Sequence, residues 1–382
     1  MQGSQKNIYG GTIYGQIDST RNDYQTLDKT EYSSGFTVGY KQSLFRKFGK
    51  LYNNTSLFST KEKIKLLTLF NKDEKANIIL KSVTYYYDTI LNSEKIKIQK
   101  KALIRAQSNY DAAKAKQESG LVSKVDVYRA KLSYLDQNRN LNDSIKRYKD
   151  SLENLYFYIN QDVDINNSFS ESQPIIIIEN SLENKKDSKI LAENIKWNNM
   201  LLDEKLLKKE IYKSNKDFLP DLELDMKYKQ FAQKEELDNS FNFNEDSWSI
   251  GINSNYNFNT TEQSITKQRL LLEKTKLKRD KYSLNRLIFK DINSLQNDYK
   301  NIIENLKIYK LKEKEAENSL KVSKIRYERG LSSNLDILDA ESSYSSSQID
   351  YVSEVLKYNL TLLKYAKAIN SLDLEFINKV IK

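Results

Sequence analysis

The segment Glu118-Ser119-Gly120-Leu121-Val122-Ser123-Lys124-Val125-Asp126 returns 210 positions later as Glu328-Arg329-Gly330-Leu331-Ser332-Ser333-Asn334-Leu335-Asp336. In each copy the glycine suits the left-handed residue that ends one helix, and the serine suits the N-cap of the next. The aspartate then falls in the first turn, near the positive end of the helix dipole. Both segments read as tips of helical hairpins. The correspondence continues through Ala130/Ala340, Ser133/Ser343 and Tyr134/Tyr344, while Thr37-Val38-Gly39 parallels Ser249-Ile250-Gly251 at an offset of 212. The chain is two copies of one plan.

Outward from the second tip, Leu222, Leu224, Met226 and Tyr228 alternate with Glu223, Asp225, Lys227 and Lys229. Trp248, Ile250, Ile252, Tyr256 and Phe258 then share one parity, against Ser249, Gly251, Asn253, Asn255 and Asn257. A period of two predicts half-buried strands. The first half carries a weaker version, Tyr9, Ile13 and Ile17, then Phe36, Val38 and Tyr40 against Thr37, Gly39 and Lys41. Two strand pairs are expected, with long polar connections at about 18–33 and 232–246.

The remaining segments carry the helical period. Ile337, Ala340, Tyr344, Ser347, Tyr351, Val355, Tyr358, Leu362, Tyr365 and Ile369 are spaced by about 3.56 residues on average, between the 3.5 of a supercoil and the 3.6 of a straight helix. Ile288, Ile292, Leu295, Tyr299, Ile302, Leu306 and Tyr309 step by four and three in the same way. Long helices packed as coiled coils are expected. One from about 55 to 119 would rise ~98 Å at 1.5 Å per residue, which suits a rod or tube.

The first repeat is therefore read as 1–160, with a strand pair at about 8–45 and a hairpin at about 55–160 whose tip is at 120. Residues 161–185, polar and irregular around Pro174, connect the halves. The second repeat, 186–382, has a helix at about 187–217, a strand pair at 221–260 and a hairpin at about 261–372 with its tip at 330. The fold class is mainly α with a small β part.

Only two prolines and ten glycines occur in 382 residues, so long regular elements dominate. Cysteine and histidine are both absent, which removes thiol nucleophiles, imidazole bases and Cys/His zinc sites. No catalytic constellation, cofactor site or metal site is expected. The formal charge of +10 comes from lysines spread between acids, as in Lys61-Glu62-Lys63, and not from a basic face for nucleic acid. No apolar run approaches the ~20 residues of a membrane helix. Residues 1–20 contain no signal-peptide apolar core, and the helix that precedes the second strand pair has no counterpart before the first.

Taken together, Gly-Leu-x-Ser-x-x-Asp-x-x-x-Ala opening a helix twice, with Leu219-Pro220-Asp221 leading into a strand, resembles the TolC-like outer-membrane efflux factors over almost the whole chain. The resemblance implies a homotrimer in which each protomer gives four strands to one twelve-stranded barrel and four helical segments to a periplasmic α-barrel. It implies an outer-membrane exit duct of a tripartite efflux pump or type I secretion system, working with a periplasmic adaptor and an inner-membrane transporter. The strand arithmetic agrees, because four strands of one copy are too few to close a barrel and an open edge is prohibitive in lipid.

By position, the resemblance puts Asp126, Tyr327, Asp336 and Asp339 at the periplasmic entrance, and Gly120, Leu121, Gly330 and Leu331 at adaptor-docking tips. Trp248, Ile250, Ile252, Tyr256 and Phe258 would face lipid. Where the family's closing network has an arginine two residues after the glycine, this chain has Ser332, so an ionic latch would use another residue such as Arg329 or be weaker. The alternative expectation is a soluble coiled-coil scaffold, which the helices alone satisfy and the strand pairs do not. Capping alone is the other explanation for Asp126 and Asp336.

Overall fold

A computed structural model describes residues 1–24, 29–162 and 185–380. The expected connection at 161–185 lies almost wholly outside the described residues. Strands β1 (Gln2–Lys6), β2 (Gly11–Tyr24), β3 (Lys29–Ser43), β4 (Asp221–Lys234) and β5 (Glu245–Asn255) form one antiparallel sheet in the order β1-β2-β3-β4-β5. The helices are α1 (Lys50–Asn53), α2 (Thr55–Glu118), α3 (Lys124–Ile159), α4 (Asp187–Glu193), α5 (Ile195–Lys216), α6 (Thr261–Glu328), α7 (Asn334–Ala368) and α8 (Leu374–Val380).

Several boundaries differ from the sequence reading, each for a local reason. The connection expected at 18–33 is largely strand, because β2 and β3 stay paired out to Tyr24 and Lys29 on serine, threonine and charged side chains. Polar residues extend a ladder whose bonds are all backbone. Tyr9 lies in the β1–β2 turn and not on a strand, and β1 is a fifth strand where four were expected. The second connection is shorter than expected and contains a 3-10 turn, Asp238–Phe241, whose Ser240 hydroxyl meets that of Ser34 at 2.9 Å. Tyr256 and Phe258 lie past the end of β5, with their rings edge to face at 5.1 Å. The helix expected at 187–217 is broken at Asn194, an extended residue whose side chain caps the N-terminus of α5 through Trp197 N–H at 3.0 Å.

The described chain divides into two compact units, each drawing on both repeats: residues 1–69 with 194–285, and residues 70–193 with 286–382. The first holds the sheet. The second holds a helical core in which α7 is buried along two stripes. Tyr358 and Leu362 pack with Tyr299 and Ile302 of α6, while Leu356, Leu363 and Ala366 pack with Ala76, Val83, Tyr87 and Ile90 of α2. The stripe from Ile337 to Ile369 supplied only the first of these faces. The second, Leu356-Asn359-Leu363-Ala366, lies on another side of the same helix, so α7 is a central helix.

Candidate functional site at the hairpin tips and the sheet face

The α2–α3 and α6–α7 turns have the same construction. Gly120 and Gly330 sit at φ +75° and +72°, a region that costs an L side chain ~1–2 kcal/mol, and open space surrounds the position a Cβ would take. Leu121 N–H reaches back to the Lys116 carbonyl and Leu331 N–H to the Arg326 carbonyl, both at 2.8 Å, which satisfies the last carbonyls of each helix. Ser123 and Ser333 cap the returning helices, and Asp126 and Asp336 complete capping boxes by accepting from the serine N–H at 3.2 and 2.8 Å. The apolar tips stand in solvent, with Leu121 74% and Leu331 65% exposed.

The two hairpins are stitched together at this end. Lys116 on α2 donates to the Tyr327 carbonyl on α6 at 2.6 Å, and its ammonium stands 3.9 Å from the Tyr327 ring centroid. Asn334, buried at the start of α7, donates to the Asp126 carbonyl on α3 at 3.0 Å. Tyr327 itself is buried, and its hydroxyl lacks a hydrogen-bond partner among the described residues. Burial first, then the nearby negative charge of Asp126, raises the pKa of that hydroxyl.

Of the expected entrance residues, the structure therefore brings Tyr327 and Asp126 together, but the cation beside the tyrosine is Lys116 and not Arg329. Asp336 and Asp339 both line a cleft of about 710 Å³ between α6 and α7, shared with Arg326, Ser332 and Glu315. Lys116 and Asn334 were missed by the sequence reading. Asn334 is the first residue of α7, within the repeated motif itself, and its counterpart Lys124 is exposed.

About three turns deeper in the same unit, Arg105 of α2 donates to the Ser345 hydroxyl of α7 at 3.0 Å and lies 5.6 Å from the ring centroid of Tyr344. Glu341, on α7, has its carboxyl pushed up to about 7 by burial, against the opposing pull of Arg105 and Lys324.

In the sheet unit, register decides which side chains share a face. Ile13, Tyr40, Met226 and Ile250 lie in one row across four strands, and Val38, Tyr228 and Trp248 lie in the next. Ile17, Phe36, Leu224 and Ile252 fall on the same face. Trp248, Ile250 and Ile252 are more than 60% exposed, an apolar surface that no described residue covers. The opposite face is charged: Lys41 approaches Glu223 and Asp225 at 3.8 and 4.0 Å, and Lys229 approaches Asp18 at 3.6 Å.

Residues 188–369 match the family model of the outer membrane efflux proteins. This places the second half of the chain in the outer membrane efflux protein family. The outer membrane efflux fold extends over both halves. The Vibrio cholerae outer membrane protein VceC superposes with a TM-score of 0.78 at 15% identity, covering 95% of this chain and 87% of that one. The Neisseria gonorrhoeae MtrE outer membrane channel, solved in its open state, gives 0.78 at 14% identity over 95% and 81%. The Campylobacter jejuni CmeC outer membrane channel gives 0.74 at 17% identity over 97% and 81%. No curated protein sequence matches the chain. The resemblance read from the repeated tips and alternating strands thus holds for family and for fold, and the family is one of channels.

Proposed function

We propose that this chain is one protomer of a homotrimeric exit duct in the outer membrane, a passive conduit of a tripartite efflux pump or type I secretion system. The observation that carries the reading is the sheet. Strands β2 to β5 share a predominantly apolar face, centred on the Ile13-Tyr40-Met226-Ile250 row, with aromatic and aliphatic side chains exposed, and a charged opposite face. Such a two-faced antiparallel sheet is stable in a bilayer only when closed, apolar side to lipid and charged side to a water-filled lumen. One copy offers too few strands, so closure requires other copies.

At the other unit, the exposed Leu121 and Leu331 beside open glycines suit docking of the apolar tips of a periplasmic adaptor, which would link the duct to an inner-membrane transporter. Asp126, Tyr327, Asp336 and Asp339 would then stand at the entrance. A soluble scaffold would have no use for the uncovered face of β5.

Comparing Ile252→Lys with Asn253→Lys tests the reading. A lysine facing lipid near mid-membrane costs ~2–4 kcal/mol, whereas one facing the lumen is tolerated. Membrane assembly should fall sharply for Ile252→Lys alone, and equal tolerance would reject the barrel orientation.

A further inference from the structure

Strand β1 does not belong with the other four. Its register places Gly3 and Gln5 beside Gly15 and Ile13, on the face that carries Ile13, Tyr40 and Ile250 in the neighbouring strands, so β1 adds nothing apolar to that surface. It is five residues long, Gln-Gly-Ser-Gln-Lys, and exposed throughout. Its direction is also wrong for closure. In an antiparallel sheet ordered β1 to β5, the two edge strands β1 and β5 run the same way. A ring of five-stranded units would have to pair β5 of one copy with β1 of the next in parallel. A ring of four-stranded units pairs β5 with β2 of the next copy antiparallel and keeps the alternation all the way round.

We propose that β1 is a displaceable guard on the β2 edge, and that β5 of a second copy takes its place when the barrel closes. This rests on the barrel reading above. An unprotected strand edge is a template for wrong pairing, and short polar strands are a common cover. β1 covers β2 only from Thr12 to Gln16, whereas β5 has eleven residues and an edge unpaired among the described residues. The exchange replaces a short polar ladder with a longer one that also extends the apolar face.

The hinge for such a release is built in. Asn7 Oδ1 accepts from Tyr9 N–H and Gly11 N–H at 2.9 Å each, and Gly10 turns at φ +95°. The Tyr9 carbonyl accepts from Gly49 N–H at 3.0 Å and from the Gln42 amide at 3.3 Å. These bonds hold the turn to the end of β3 and the segment after it without using β1, so β1 can swing out while the turn stays.

The chain has no cysteine, so a lock can be installed cleanly. Gln2 and Gln16 are register partners. The pairs on either side of the ladder, Met1/Ile17 and Asn7/Gly11, are hydrogen-bonded, so by alternation Gln2/Gln16 is a non-hydrogen-bonded pair, with the short Cα separation a disulfide needs. In vesicles of outer-membrane lipid, the oxidised Gln2→Cys/Gln16→Cys variant should yield at least tenfold less oligomer than wild type, and reduction should restore it. Circular dichroism of the oxidised protomer should show an unchanged fold. Gln5→Pro, which removes a ladder bond on the β2 side, should speed assembly several-fold. Equal oligomer yield with the lock closed, or slower assembly of Gln5→Pro, overturns the guard. If wild type and the reduced variant also remain single protomers, the barrel reading fails and takes the guard with it.

Discussion

Lys116 of α2 and Tyr327 of α6 are 211 residues apart, yet the lysine ammonium stands 3.9 Å from the tyrosine ring centroid and binds the same carbonyl that closes the Gly330 turn. One cation thus ties the first hairpin to the turn of the second. A partly desolvated contact of this kind is worth ~1–2 kcal/mol.

Lys116→Met should therefore loosen the tips, and Lys116→Arg should retain most of the tie. In planar bilayers Lys116→Met is expected to show a several-fold higher open probability than wild type. Identical recordings for Lys116→Met, Lys116→Arg and wild type would mean that this contact does not restrain the entrance.

The capping boxes make a separate expectation about local stability. Ser333→Ala removes the acceptor for Asp336 N–H and should cost ~1 kcal/mol at the start of α7. Ser123→Ala should do the same for α3. Hydrogen exchange of the first-turn amides reads this directly, as roughly fivefold faster exchange confined to the tip.

The acids at the second tip should have separable roles. The carboxylate of Asp336 is engaged by Ser333 N–H, while Asp339 lines the same cleft a turn later, beyond the capping box. Asp339→Asn alone should change cation selectivity with little loss of stability, and Asp336→Asn should lose ~0.5–1 kcal/mol locally as well. If the double variant conducts with unchanged selectivity and unchanged block by multivalent cations, neither acid lines the conducting path.

Glu341 supplies a pH dependence whose sign follows from its raised pKa of about 7. Between the ordinary carboxylate range and pH 7 the folded chain holds a proton that the unfolded chain has released. Stability from this site therefore falls as pH rises through that window and levels off above it. Glu341→Gln should be more stable than wild type above pH 7, by on the order of 1–2 kcal/mol once screening is allowed for, with the difference vanishing below about pH 4.5. Thermal unfolding at several pH values checks both the sign and the window.

Much of the fold was legible because its determinants are local. The alternation of Trp248, Ile250 and Ile252 against Ser249, Gly251 and Asn253 fixes a strand and its two faces within a few residues, since successive side chains point to opposite sides. The turns after α2 and α6 need a residue at positive φ, which Gly120 and Gly330 supply without strain, and Ser123 and Ser333 cap helices through bonds three residues long. Those signals determined the tips, the two long hairpins and the family resemblance. Tyr256 and Phe258 kept the strand parity but fell past the last ladder pair, Asp221 with Asn255. Parity is written in the chain, whereas the end of a ladder depends on where the partner strand stops.

What tertiary structure alone decided are the relations between distant segments. That Lys116 rather than Arg329 serves Tyr327, that Asn334 meets the Asp126 carbonyl, and that α7 is buried on two sides all depend on how four helices pack around one another. No periodicity within one helix encodes which neighbour covers which stripe. β1 belongs to the same class: Gln-Gly-Ser-Gln-Lys carries no strand pattern of its own, and it is a strand because the β2 edge offers unpaired backbone groups and the Asn7–Gly10 turn brings it there.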